Sequence, residues 1–174
     1  YNYDIEGDFP APVQAAAALA PEEVDPAACA GRLDLRDKTV ITIDGASSKD
    51  FDDAVSLERD GEGNWVLGVH IADVSHYVPA GSVLDLEAFH RGTSVYFADR
   101  VVPMLPEALS NGICSLNPHV DRLALSCILT LDPSGAVLDH RIAKTVIRST
   151  ERMTYGDCNL LLEDRDPALA ERYA

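Results

Sequence analysis

Apolar and polar positions alternate along much of this chain, and the alternation marks strands. Trp65, Leu67, Val69 and Ile71 recur at every second residue, which is the period of one face of a pleated strand. Ahead of them, Asp60-Gly61-Glu62-Gly63-Asn64 is a turn with two glycines, and residues 54–57 form a short strand-like run. Residues 54–72 are therefore predicted to form a hairpin. Leu123, Leu125, Cys127, Leu129 and Leu131 alternate strictly, Asp132-Pro133-Ser134-Gly135 turns the chain, and residues 137–148 return as a second strand. This is the clearest hairpin in the sequence. Val40 and Thr42 mark an earlier strand. Helical signals lie elsewhere. Residues 13–20 are alanine-rich and stop at Pro21. Residues 84–91 are followed by Gly92, a plausible terminator, and the pattern turns helical again after Thr154, at residues 160–162 and 168–173. Pro103 and Pro106 make residues 101–110 a loop or a set of short turns. Phe9-Pro10-Ala11-Pro12 is extended or turn-like, and residues 21–37 are a polar, broken connector. The expected class is α+β, an antiparallel-rich sheet with flanking helices. A lead-in helix and connector occupy residues 1–38, ahead of a β-rich unit over 39–174.

Composition adds few constraints. Of 174 residues, 47% are apolar and 25% charged, the balance of an ordinary globular domain with a sizeable core. Apolar runs fall far short of the roughly 20 residues that span a bilayer, and no basic segment leads into an apolar one as in a secretory signal. A cytoplasmic protein without membrane contact is expected. Cys29, Cys114, Cys127 and Cys158 form no C-x-x-C pair and no zinc spacing with histidine, so they read as reduced thiols. Cys127 reads as a small apolar residue on its strand. The chain opens on Tyr1 and ends on Ala174 inside a helical pattern, which predicts a fragment of something longer.

Charge changes the picture more. The net charge is −15, which by itself opposes phosphate contacts and suits either a solvated acidic surface or a cation site. The acid is concentrated in TIDGASSKDFDD, residues 42–53, where Asp44, Asp50, Asp52 and Asp53 are accompanied by Lys49 alone. A strand ends near Ile43, Gly45 lets the chain turn, and a loop returns through the other three aspartates. In extended backbone Asp50 and Asp52 share a side and Asp53 points the other way, so only a loop can gather all four. An EF-hand does not fit, because Ala46 and Ser48 fall where calcium ligands belong. Two possibilities stay open on spacing alone. One is an acidic turn in water. The other is a Mg²⁺ site of the kind that activates water and stabilises a leaving oxygen in phosphodiester hydrolysis.

The cluster does not stand alone. TIDGASSKDFDDAV, VHIADVSHYV, RGTSVYF, PMLPEALSNGICSLNP and DRLALSC follow one another in order. This series, over about residues 9–155, closely resembles the catalytic domain of the ribonuclease II / ribonuclease R family of 3′→5′ exoribonucleases, the RNB domain, and lies nearer the ribonuclease R side. The resemblance implies processive hydrolysis of single-stranded RNA from its 3′ end to nucleoside 5′-monophosphates, with Mg²⁺ as cofactor and Mn²⁺ as a possible substitute. It places Asp44 and Asp53 as direct metal ligands. Asp50 and Asp52 are associated with a second ion or with orienting the attacking water, and Asp52 matches the position most critical for cleavage. Tyr96 matches an aromatic that stacks near the terminal nucleotides. Asn117 and Arg122 lie in matched motifs, where they line the RNA path or else hold the loop before the second hairpin. The family's cold-shock and S1 modules are not visible, and its catalytic domain is longer than this chain, with an arginine and further carboxylates beyond it. A non-catalytic RNA-binding or regulatory remnant of such a domain is the alternative. Blander roles fit the remaining polar residues. His70 and His76 read as structural, Asp73 as a turn residue bonding backbone, and Tyr77 and Phe97 as core.

Overall fold

The computed structural model describes residues 7–173. Its frame is a seven-stranded sheet built from β1 (Leu33–Asp34), β2 (Val40–Asp44), β3 (Asp53–Arg59), β4 (Trp65–Ala72), β7 (Asp121–Leu131), β8 (Val137–Arg148) and β9 (Glu151–Thr154). Between β4 and β7, β5 (Val95–Tyr96) and β6 (Val101–Val102) pair separately as a short ribbon. The order across the large sheet is β1-β8-β7-β4-β3-β2-β9. The four central pairings are antiparallel, and β1 on β8 and β9 on β2 are parallel. Helices α1 (Ala11–Ala17), α2 (Val74–Tyr77), α3 (Val83–Arg91), α4 (Tyr155–Asn159) and α5 (Pro167–Arg172) complete the α+β fold.

Both predicted hairpins form, and local chemistry closes their turns. Asp60 accepts from the backbone of Glu62 and Asn64, both at 2.9 Å, and Asp132 accepts from Ser134 and Ala136 at 2.8 and 3.0 Å. Helix α3 begins where the Ser82 hydroxyl accepts from Asp85 N–H at 3.2 Å. It ends at Gly92, whose φ of 75° is open to glycine at little cost. Three segments differ from expectation. Helix α1 starts at Ala11, inside the stretch expected to be extended, because proline is tolerated in a first turn, and it ends at Ala17, short of Pro21. The connector before residue 38 supplies the edge strand β1, and Leu35 is buried behind it. The proline-broken stretch continues into a π-helical turn over Ala108–Ile113.

The sheet register sorts side chains onto two unlike faces. One carries Val40, Ala54, Ala72, Ala124 and Ile147, and Phe51, Leu35 and Leu116 close over it as the main core. A second core gathers α1, α3, Leu105, Leu109 and Ile113. The main core face holds a buried polar seam running across four strands. Ser56 meets His70 Nε2 at 3.0 Å, His70 Nδ1 meets Ser126 at 2.7 Å, and Ser126 meets Thr145 at 2.6 Å. The other face displays the alternating row that predicted the hairpins. Part of this row stays open, with Leu57 56%, Ile71 47%, Leu125 46% and Ile142 66% exposed, whereas Leu123 and its partner Val146 are buried. The covered face mixes Val40 and Ile147 with small and hydroxyl-bearing residues such as Ala54, Ala72, Ala124, Ser126 and Thr145.

Several assignments settle on the sequence's own terms or against them. His70 is fully buried in the seam. Asp73 bonds a side chain rather than backbone, forming an ion pair with Arg32 at 2.7 Å in which both side chains are nearly sequestered. Tyr77 packs on the second core. Phe97 does not enter a core. It lies 43% exposed at the tip of the β5–β6 ribbon, with the Arg100 guanidinium 5.3 Å over its ring, because a two-residue ribbon offers too little surface to enclose an aromatic. The four cysteines are free thiols. No described helix is long and apolar enough to cross a membrane.

Candidate active site

The aspartates are carried by three local devices. Asp44 ends β2 and Asp53 begins β3, opposite Ile71 of β4. Between them the chain first turns, with Ser48 N–H donating to Gly45 O at 3.0 Å, and a Cβ at Gly45 would stand 3.3 Å from the Ser48 hydroxyl, a tight contact that a small shift of that side chain relieves. It then runs as an extended strap docked on the loop before β7. Ser115 Oγ donates to Lys49 O and accepts from Phe51 N–H, both at 3.0 Å, and Leu116 N–H donates to Phe51 O at 2.9 Å. On the other edge Ala72 N–H donates to Asp52 O at 2.9 Å. These bonds hold Phe51 inward, where its side chain is buried. Successive side chains of extended backbone alternate, so Asp50 and Asp52 project the opposite way.

The electrostatics place the four acids in one group. Loss of water raises Asp44, and the charges of Asp53 and Asp50 raise it further, while Arg152 acts in the opposite direction. Crowding by the strap takes water from the Asp52 carboxyl, although the residue as a whole stays open at the surface. That loss of water raises Asp52, with Asp50, Asp53 and Asp44 adding to it. Like charges this close disfavour the ionised state unless a cation joins them.

Among the described residues no three His, Cys, Asp or Glu side chains converge as a ready-made metal cage. A hydrated Mg²⁺ does not require one, since it takes one or two carboxylates and completes its octahedron with water and substrate phosphate. An all-oxygen donor set in which the acids repel one another fits an ion of that kind.

A cleft of about 510 Å³ lies beside the strap, lined by Lys49, Asp50, Tyr96, Arg100 and Asn111 among others. Tyr96 reaches it from β5, donates to Asp50 Oδ2 at 3.3 Å and keeps 67% of its surface open. The Asp50 charge and loss of water raise the Tyr96 phenol, so it stays a neutral donor with a free ring face. The fold therefore brings Tyr96 to the aspartates. It does not bring Arg122 there. Arg122 is buried and donates to Ser115 O at 2.8 Å, Asp121 O at 2.9 Å and Gly112 O at 3.3 Å, and Asn117 donates to Asn111 O at 3.1 Å. In this structure both hold the loop that carries Ser115, the second of the two roles open to them in the sequence. Ser115 and Arg152 were not found from the sequence. Each meets the strap across a long separation that no local spacing records.

A family model described as RNB domain matches residues 32–172. The chain belongs to the RNB domain family. As an RNB chain it is 53% identical to ribonuclease R 1 of Lactococcus lactis subsp. lactis over 99% of its own length and 21% of that protein. It is 47% identical to ribonuclease R of Escherichia coli, again over 99% of this chain and 21% of the other. Among solved structures, Mycoplasma genitalium RNase R in complex with double-stranded RNA superposes with a TM-score of 0.87 at 36% identity, over 93% of this chain and 29% of that one. The same enzyme in complex with ribose-methylated single-stranded RNA gives 0.85 at 35% identity, over 96% of this chain and 27% of that one. This RNB segment thus spans about a fifth of the length of these curated relatives.

Proposed function

We propose that this RNB segment carries the carboxylate half of the active site of a metal-dependent 3′→5′ exoribonuclease, which hydrolyses single-stranded RNA processively to nucleoside 5′-monophosphates. The observation that carries this reading is the strap. Anchoring Phe51 inward aims Asp50 and Asp52 outward between Asp44 and Asp53, beside a nucleotide-sized cleft with an exposed tyrosine and two cations. The similar RNase R bound to RNA supports a nucleic-acid ligand.

In this reading Asp44 and Asp53 would hold Mg²⁺, or Mn²⁺ in its place. Bound there, the ion supplies charge neutralisation and polarises a phosphoryl oxygen. Asp50 and Asp52 orient the water that attacks phosphorus, and the 3′-oxygen of the preceding nucleotide leaves. Tyr96 places its ring against a base near the 3′ end, where stacking contributes about 1–3 kcal/mol without selecting sequence. Lys49 and Arg100 offset the acidic surface where the phosphates enter.

The test is Asp52→Asn in a full-length protein carrying this chain. The substitution keeps the shape and removes the charge. Single-turnover cleavage of a 3′-tailed RNA should fall by roughly 10²–10⁴-fold. The dissociation constant for RNA should stay the same or tighten slightly, since one negative charge near the phosphates is gone, and the melting temperature should hold. Near-normal turnover, or a loss explained by unfolding, defeats the assignment.

A further inference from the structure

Arg152 enters the site from β9, far along the chain from the aspartates. The parallel register sets Arg152 opposite Thr42 and Thr154 opposite Asp44. From there Arg152 Nη2 donates to Gly45 O at 3.2 Å and to Ala46 O at 2.7 Å, the two carbonyls that follow Asp44. The guanidinium carbon stands 5.0 Å from the centroid of the Phe51 ring, between Asp50 and Asp52 in sequence. One planar group therefore touches both limbs of the loop, the turn after Asp44 and the strap before Asp53. Its Nε is buried without a partner. A donor left so costs stability, and such costs are tolerated where placement matters more.

We infer that Arg152 is a positioning residue for the four carboxylates, the tie that keeps the two limbs of the aspartate loop together against their mutual repulsion. The inference rests on the catalytic reading above. Without a tie, repulsion among four acids would swing the turn and strap apart whenever no cation neutralised them. A guanidinium suits the task because one terminal nitrogen, Nη2, reaches both carbonyls while the planar group faces an aromatic ring. A lysine supplies a point charge without the planar face.

The experiment uses a full-length protein carrying this chain and compares Arg152→Met, Arg152→Lys and Asp52→Asn. Three quantities are read: single-turnover rate against RNA concentration, Mn²⁺ binding followed by electron paramagnetic resonance without RNA, and melting temperature. Arg152→Met should weaken Mn²⁺ binding and lower the maximal rate by roughly 10–100-fold, as loss of an outer positioning group does. The RNA concentration at half-maximal rate should change little. Arg152→Lys should recover only part of both losses. Unchanged Mn²⁺ binding and rate in Arg152→Met would overturn the inference, as would losses that follow melting temperature alone. Should Arg152→Met empty the folded state, Arg152→Lys decides by the same readouts, because it keeps the charge and the aliphatic stem. If Asp52→Asn abolishes turnover while Arg152→Met does not, only the role of Arg152 fails. If Asp52→Asn leaves turnover intact, the catalytic reading fails and takes this inference with it.

Discussion

His70 is a titratable group with no open route to solvent, and its burial has a measurable consequence. Loss of water on burial lowers its pKa from the ordinary histidine value to about 4, and Ser56 and Ser126 meet its two ring nitrogens. An unfolded chain takes up this proton near pH 6.5, whereas the folded one takes it only near 4. The seam's contribution is therefore complete above pH 6.5 and is lost as pH falls through the folded value, by about 3 kcal/mol. The raised Asp44 and Asp52 act with the opposite sign, since their folded forms hold protons more readily. They are common to both proteins in a comparison with His70→Gln. Melting temperature followed from pH 7 to pH 4 should fall more steeply with histidine present, and parallel slopes would refute the buried neutral state. The four aspartates were legible in the sequence because they are neighbours and because matched motifs surround them. The residues that aim them were not. Ser115 contacts Lys49 and Phe51 across 66 and 64 positions, and a serine in a loop carries no signal of such a partner. Arg122 stayed undecided in the sequence, since an arginine that lines an RNA path and one that satisfies a buried set of carbonyls look alike there.

Hairpins were legible because period-two alternation and turn chemistry are local. Which face of each hairpin is covered was not. Alternation put Trp65, Leu67, Val69 and Ile71 on one face without saying which face is covered, and Gly68, His70 and Ala72 line the covered face of β4. Gly68 explains why the strand tolerates a residue of poor β-propensity. A Cβ at that position would lie 2.7 Å from His70 Nε2 and closer still to the Ser56 hydroxyl of β3. The glycine is the space in which the histidine ring crosses between strands. Gly68→Ala should therefore push the His70 ring or the Ser56 hydroxyl aside and break the seam, destabilising by about 1–3 kcal/mol as overpacking does. The midpoint of urea unfolding should drop with little change in slope. In a Gly68→Ala protein that also carries His70→Ala and Ser56→Ala, much of the penalty should vanish, because the clash has lost both its partners. Equal penalties in both backgrounds would show that the glycine serves the backbone instead. The parallel strands at the two edges were invisible for a related reason. Residues 33–34 and 151–154 are too short to show a period, and only long-range pairing with β8 and β2 makes them strands.

The molecule as a whole sets a large charge against an open apolar face. Leu57, Ile71, Leu125 and Ile142 come from four adjacent strands and lie on one side of the sheet. Contiguous apolar surface of this kind drives association. The net charge of −15 opposes it, since copies of the chain repel one another before the faces meet. Salt decides between the two. Repulsion between surface charges reaches about 10 Å at 0.1 M ionic strength and about 3 Å at 1 M, while apolar burial is not screened. The chain expressed by itself should therefore stay dispersed in dilute buffer and associate as sodium chloride is raised, the reverse of an assembly held by ion pairs. Light scattering across a salt series measures this directly. Leu125→Lys combined with Ile142→Lys places charge in the centre of the face and should abolish the salt-induced rise. The double variant should leave the main core untouched, because neither residue contributes to it, so its melting temperature should follow that of the unaltered chain. Association that weakens with salt, or that survives the double substitution, would show that contacts elsewhere are responsible. Exposed Leu86 and Phe89 on α3 would then be the next surface to alter.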